Sequence, residues 1–244
     1  SLDIREFVLY LQQKRRFSKH PFTPPQEGGL SAHTVNCYLR SLRAFFSWLV
    51  SEEVLDTNPF DRVKVPRVPR KVMPTLTDVQ IQSLLDTISL KTPQGYRDFT
   101  IVMTLLDTGM RVSELCNLKM TDVQLDDGTL KVMGKGNKER IIPFGKHVQR
   151  FIWRYVARCR PEPAMPNGDF LFLTREGRQL TKDSAAGILE RHGAKAGLTG
   201  VRCSPHTFRH TAAVKFLRNG GGVFSLQRLL GHSTLEMTRH YCEI

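Results

Sequence analysis

Six side chains of this 244-residue sequence are of types that act on anions. Arg111 stands in Thr108-Gly-Met-Arg111-Val-Ser-Glu114-Leu, Lys135 in Gly134-Lys-Gly-Asn-Lys-Glu-Arg140, and His206 and Arg209 in His206-Thr-Phe-Arg209-His210. His232 closes Leu229-Leu-Gly-His232, and Tyr241 follows His240. A phosphodiester repels nucleophiles, and its transition state gathers further charge on the nonbridging oxygens. Guanidiniums meet that charge with planar, permanently ionised donor forks, and losing one such contact raises a barrier by about 3–4 kcal/mol. Histidines add hydrogen bonds whose protonation can change, and a lysine can protonate a departing oxygen. Tyrosine is the weak member. With a pKa near 10, about one in a thousand is ionised at pH 7, and full deprotonation costs roughly 4 kcal/mol, so a base or concerted transfer is required. Taken singly, each residue also has a plain structural reading: Arg111, just past a glycine, can cap the preceding helix, and Lys135 can be a solvated turn residue.

Each of these groups needs an element to hold it. Ile4, Phe7, Val8 and Leu11 follow the stripe of an amphipathic helix. Pro21, Pro24, Pro25, Gly28 and Gly29 cannot continue it. Ser31 then reads as the N-cap of a second helix with an apolar face of Val35, Tyr38, Leu39, Leu42, Phe45, Phe46 and Leu49. Its opposite stripe, His33, Asn36, Arg40, Arg43 and Ser47, either straddles DNA phosphates or is a hydrated face. Pro66, Pro69 and Pro74 punctuate a basic, extended linker in which Arg67, Arg70 and Lys71 suit a strap on a phosphate backbone. Thr77 and Gln80 form a capping box that starts the next helix. Between Thr121 and Pro143 the period falls to two, giving strands at Val123/Leu125, Leu130/Val132 and Ile141/Ile142. Asp126-Asp127-Gly128 and Gly134-Lys-Gly-Asn137 are their turns, and Asp122, Asp126 and Asp127 are read with the turn rather than as metal ligands. Ser233 and Glu236 read as a second capping box, with His232 at the helix entrance and Tyr241 about two turns along.

Composition narrows the partner. Lys+Arg 36 against Asp+Glu 23 leave a net charge of +13 and a pI near 9.8. Residues 1–66 carry +2 of this, 67–71 carry +3 and 72–244 carry +8. That distribution suits a protein following a polyanion. No apolar run is long enough for a membrane span, and Ser1 to Arg16 lack the apolar run and cleavage site of a signal peptide, so a place inside a cell is expected. Five cysteines without CxxC spacing argue against a disulfide framework or a zinc ribbon and read as small buried hydrophobes. His206 and His210 are four apart, but Thr207 stands where an HExxH motif has glutamate, so neither metal nor cofactor is expected.

Together and in this order, the five motifs resemble the tyrosine recombinase (phage integrase) family in its Xer and transposon-integrase branch, over Thr77 to Tyr241. The resemblance implies a mainly α fold with a small antiparallel β-sheet in the catalytic domain, and a two-domain architecture. Residues 1–65 would be a partial helical core-DNA-binding domain, 66–75 the linker and 76–244 the catalytic domain. It assigns the catalytic roles to Arg111, Lys135, His206, Arg209, His232 and the nucleophile Tyr241. Glu114 resembles the acidic residue that orients such a site, and His210 a supporting one. His206 is the first candidate to take the tyrosine proton, and Lys135 to protonate the 5′ oxygen. Lys138 and Arg140 of the hairpin join His33, Asn36, Arg40, Arg43, Arg67, Arg70 and Lys71 as expected DNA contacts.

The implied activity is site-specific recombination through a covalent 3′-phosphotyrosine, which keeps the ester link so that a 5′-hydroxyl can reseal the strand. Its context would be integration or excision of a mobile element, or chromosome-dimer resolution. The implied partners are double-stranded DNA bearing a recombination site and like subunits, four in the synaptic complex and one without DNA, at the nucleoid in the cytoplasm. The sequence starts at Ser1, shows two helices before the linker where the family has four, and ends three residues after Tyr241, the pattern expected of a trimmed chain. A noncatalytic DNA-binding regulator and a type IB topoisomerase are the rival readings. The complete set of six residues disfavours the first, and the compact bacterial motif set the second.

Overall fold

The computed structural model describes residues 2–18, 20–61, 63, 73–134, 139–165 and 168–242. The chain divides into two compact units, Ser1–Lys71 and Val72–Ile244. Arg67, Arg70 and Lys71 of the expected linker, and Lys135 and Lys138 of the hairpin turn, lie outside the described residues.

The first unit pairs helix α1 (Leu2–Gln13) with helix α2 (Ala32–Ser51). Ser31 caps α2, its hydroxyl accepting from the Thr34 N–H at 3.2 Å. Ile4 and Leu11 of α1 meet Val35 and Leu39 of α2, with Phe60 and Val63 closing the cluster and Phe7, Val8, Leu42 and Phe46 at its edge. The buried stripe of α2 is thus centred on residues 35, 39, 42 and 46, narrower than the expected apolar face. Tyr38 and Phe45 fall on its flank and stay about half exposed. Asn36, adjoining Val35 and Leu39, turns inward and is buried, which corrects its assignment to a DNA-facing stripe. His33 and Arg40 are exposed as that stripe requires. Arg43 is exposed too, but one of its guanidinium nitrogens donates to the Phe60 carbonyl at 3.2 Å.

The second unit is mainly helical with one small sheet. Helix α3 (Asp78–Asp86) starts with the Thr77/Gln80 capping box, both bonds present. Helix α4 (Pro93–Thr108) runs through the core, packing against α6 (Lys146–Arg158) and α8 (Pro205–Arg218). It ends at Gly109, in the left-handed conformation at φ 60°. A side chain there would press on Leu230 and Ala212, so the tight approach of α4 to its neighbours also requires glycine. Helix α5 (Val112–Asn117) follows. The strands β1 (Val123–Gln124), β2 (Thr129–Met133) and β3 (Glu139–Pro143) form an antiparallel sheet in sequence order. Leu130 pairs with Ile142 and Val132 with Arg140. Period two turns Leu130, Val132 and Ile142 into the core and Met133 and Ile141 outward. Helix α7 (Lys182–Lys195) packs on α5 and α3, and α9 (Val223–Leu230) on α8.

The last helix, α10 (Glu236–Arg239), differs from expectation. The Ser233/Glu236 capping box does not form. Leu235 is the N-cap, without a side-chain bond, and the Ser233 hydroxyl points to the Met237 sulfur at 3.6 Å. Tyr241 therefore sits in a turn beyond a single-turn helix rather than two turns along a regular one. All five cysteines are free. Cys116 and Cys203 are buried as expected, whereas Cys37 and Cys242 are exposed. No helix among the described residues is long and apolar enough to cross a membrane.

Candidate active site

Local structure places the first arginine. After Gly109 reverses the chain, Arg111 becomes the N-cap of α5 in extended conformation. Its backbone N–H donates to Glu114 Oε2 at 2.8 Å, and its Nη1 to Glu114 Oε1 at 3.0 Å. Arg111 therefore starts its own helix instead of closing the one before. Glu114 is buried, with 3% of its side chain exposed. Burial pulls its carboxyl upward, but the hydrogen bonds and charges of Arg140 and Arg111 outweigh this and hold it below the ordinary glutamate value.

Arg140 corrects a second sequence assignment. Expected at DNA, it points inward: Nη1 and Nη2 donate to Glu114 Oε1 and Oε2, each at 2.8 Å, and Nε donates to the Leu229 carbonyl at 3.2 Å. This is a bidentate fork, the strongest arrangement such a pair can make. Strand alternation carried the signal, since Arg140 shares the inward face of β3 with Ile142. Thr238, described below, is the residue of this cluster that the sequence did not single out.

Helix α8 delivers the second arginine. Capped by Ser204, with Pro205 at its first turn, it buries Arg209. Arg209 Nη1 donates to the Gly109 carbonyl at 2.8 Å and Nη2 to the Leu230 carbonyl at 2.6 Å. These oxygens lie at the C-terminal, partially negative ends of α4 and α9, where a cation is favoured. Burial and the neighbouring Arg111 still lower its pKa to about 10, so it remains charged at neutral pH. Arg111 Nη1 also reaches the Leu230 carbonyl, at 3.5 Å.

His232 follows the left-handed Gly231 that ends α9. Its Nε2 lies 3.2 Å from Arg209 Nη2, and its Nδ1 lies 2.9 Å from Thr238 Oγ1. A guanidinium only donates, so Nε2 accepts and the ring proton resides on Nδ1, donated to Thr238. Burial and three surrounding arginines lower the His232 pKa to about 4, keeping it neutral.

Tyr241 completes the cluster. It is 5% exposed and packs with Ala213, Val214, Leu226 and Leu230. Its ring stacks on His232 at 6.1 Å between centroids and 9° between planes. Its hydroxyl lies 3.0 Å from His210 Nδ1. Burial raises the phenol pKa, and the charge of Arg209 opposes that rise. His210 is held below the ordinary histidine value by burial and by electrostatic interaction with His206 and Arg209. His206, one helical turn earlier, is exposed. Thus Arg111, Arg209, His232 and Tyr241 come together with Glu114, Arg140 and His210, while His206 stands at the outer edge of the same helix face. Arg111, Arg140 and Arg209 face one carboxylate, Glu114, an imbalance that favours an anion. Among the described residues, no three His, Cys, Asp or Glu side chains are grouped so as to hold a metal ion.

Comparison with known proteins shows the family and the fold. The family described as the phage integrase family matches residues 74–244. The chain is 34% identical over 221 residues to the tyrosine recombinase XerD of Listeria monocytogenes serotype 4b (strain F2365), covering 90% of this chain and 74% of that protein. It is 34% identical over 225 residues to the tyrosine recombinase XerC of Bacillus subtilis (strain 168), covering 91% and 74%. Among solved structures, the Tn1549 transposon integrase in complex with a circular intermediate DNA superimposes with a TM-score of 0.77 at 25% identity, over 98% of this chain and 80% of that one. Sequence and fold together show that the chain belongs to the phage integrase family and is a site-specific tyrosine recombinase, an enzyme that breaks and rejoins DNA strands.

Proposed function

We propose that Tyr241 is the nucleophile of this recombinase and that Arg111, Lys135, His206, Arg209 and His232 assist it on duplex DNA. The tyrosine oxygen attacks the scissile phosphorus, the bond from phosphorus to the 5′ oxygen breaks, and a 3′-phosphotyrosine and a free 5′-hydroxyl result. The phenol proton passes to His210, its hydrogen-bond partner in the free protein, in place of the His206 favoured by sequence alone. Lys135 protonates the departing 5′ oxygen. Arg111 and Arg209 hold the nonbridging oxygens, and exposed His206 is placed to hydrogen-bond the incoming phosphate. Attack by a second 5′-hydroxyl reverses every step and reseals the strand without an external energy source. The observation that carries the reading is the packing of the Tyr241 ring against His232 beside the buried Arg209 and the part-buried Arg111, in a chain of this family. DNA-bound neighbours such as the Tn1549 integrase support DNA as the partner. The substrate is a recombination site on duplex DNA, and like subunits assemble on it, four in the synaptic complex. The event served is integration or excision of a mobile element, or chromosome-dimer resolution.

The test is a denaturing gel of protein mixed with a random-core duplex library. A covalent adduct that vanishes in Tyr241→Phe is expected. Salt-sensitive binding without an adduct would instead identify a regulator, and cleavage silenced by a chelator would identify a metal-dependent nuclease.

A further inference from the structure

We infer that Arg140 is a positioning residue for strand cleavage, fixing Arg111 through Glu114 and fixing the backbone that presents His232. The inference rests on the recombinase reading above and extends it to a side chain that touches no phosphate.

Glu114 has two carboxylate oxygens and receives four donors. Arg111 supplies two of them, through its backbone N–H and Nη1, and Arg140 supplies the other two through its guanidinium fork. Every bond lies between 2.8 and 3.0 Å, and the carboxylate is shielded from water that could substitute. Removing Arg140 leaves half of that coordination empty. The carboxylate then turns or takes a proton, and the Arg111 guanidinium loses the fixed point that aims it.

The second contact runs to the other side of the site. Arg140 Nε holds the Leu229 carbonyl, and the guanidinium faces Gly231: a Cβ there would stand 2.9, 3.0 and 3.1 Å from its Nη1, Cζ and Nε. Three nearly equal distances mean that the flat face of the group lies against the backbone. Gly231 precedes His232 directly. One side chain on β3 thereby ties the start of α5, the end of α9 and the histidine beyond it. A DNA-contacting arginine would keep its donors free for phosphate, whereas these donors are engaged inside the protein.

The experiment uses the full chain and duplexes selected from the random-core library by covalent capture on the wild-type protein. Arg140→Gln is expected to slow adduct formation at saturating DNA by about a hundredfold, the size of effect that a misplaced reacting group produces, with Kd within about twofold. On the same duplex with a neutral methylphosphonate at the mapped cleavage position, the need for Arg111 falls and the gap should shrink at least tenfold. Arg140→Lys, which keeps the charge and loses the fork, should fall between, and it carries the same comparison if the glutamine variant does not fold. Without DNA, Arg140→Gln should lower Tm less in a Glu114→Gln background than in the wild type. An unchanged rate overturns the inference. So does a defect confined to Kd with a salt slope reduced by about one, the mark of a phosphate contact, or a defect undiminished on the methylphosphonate, the mark of general damage. Additive Tm effects overturn it as well. A wild-type protein that captures no duplex through Tyr241 sinks the recombinase reading instead, and the Tm cycle still decides the link from Arg140 to Glu114.

Discussion

His232 accepts from Arg209 through Nε2 and donates to Thr238 through Nδ1, an arrangement that only the neutral ring can satisfy. Protonation would place a second donor against a guanidinium. Its pKa is about 4 in the folded protein against 6.5 ordinarily, so between those values the unfolded chain binds more protons than the native one. The stability this shift contributes should be full above pH 6.5 and decline as pH falls from 6.5 toward 4. His210 and His192, also lowered, add to the slope. Thermal melts across that range should show it, with a shallower decline in His232→Asn. A second expectation concerns the phenol proton. With His210 as acceptor, His210→Gln should slow adduct formation by about a hundredfold or more, the usual worth of a positioned base, and move the pH profile. His206→Gln should leave that profile in place while weakening the reaction of bound phosphate. Single-turnover rates against pH separate the two. The motif His206-Thr-Phe-Arg209-His210 pointed to His206 as the acceptor, whereas the hydroxyl lies beside His210, because the choice depends on where the last turn of chain puts the hydroxyl.

Two helix ends set the site, and both depend on glycine. Gly109 and Gly231 have φ near +60°, where an L side chain is strained by about 1–2 kcal/mol. At Gly109 a methyl group would also press on Leu230 at 3.0 Å, and at Gly231 it would meet Arg140. Gly109→Ala should destabilise the protein by about 2–3 kcal/mol in urea titration, combining strain with overpacking. Gly231→Ala should lower cleavage more than its loss of stability explains. Elements of this kind were legible beforehand: the Thr77/Gln80 box, the Ser31 cap and the strands of the sheet all follow local rules of period and capping. Arg140 was misread because its charge outweighed its register, although pairing with Val132 put it on the inward face. The Ser233/Glu236 signal failed for the opposite reason. Thr238 bonds His232, and Tyr241 packs on Leu226 and Leu230, so tertiary contacts take over a segment too short to hold a regular helix.

The excess of thirteen positive charges is spread along the chain, and only the exposed share of its polar and charged side chains is open to a polyanion. Asn36 and Arg140 leave that share by burial or internal pairing, and Arg40 and His33 remain in it. Affinity for duplex DNA should fall steeply with salt, and Arg40→Ala should reduce the slope of log K against log salt by about one, read from fluorescence anisotropy. The small sheet in a helical body follows from the change of period. Which side chains meet inside the second unit does not, because Gly109, Arg140, Arg209 and Leu230 are separated by tens of residues and brought together only by packing. The Leu230 oxygen is where the two arginines meet, accepting from both Arg209 and Arg111. An acceptor with two lone pairs is saturated by those donors. Any ligand that draws the guanidiniums away strips this oxygen of its partners and slackens the tether on the tail behind it, and by reciprocity a loosened tail leaves the pair freer to grip.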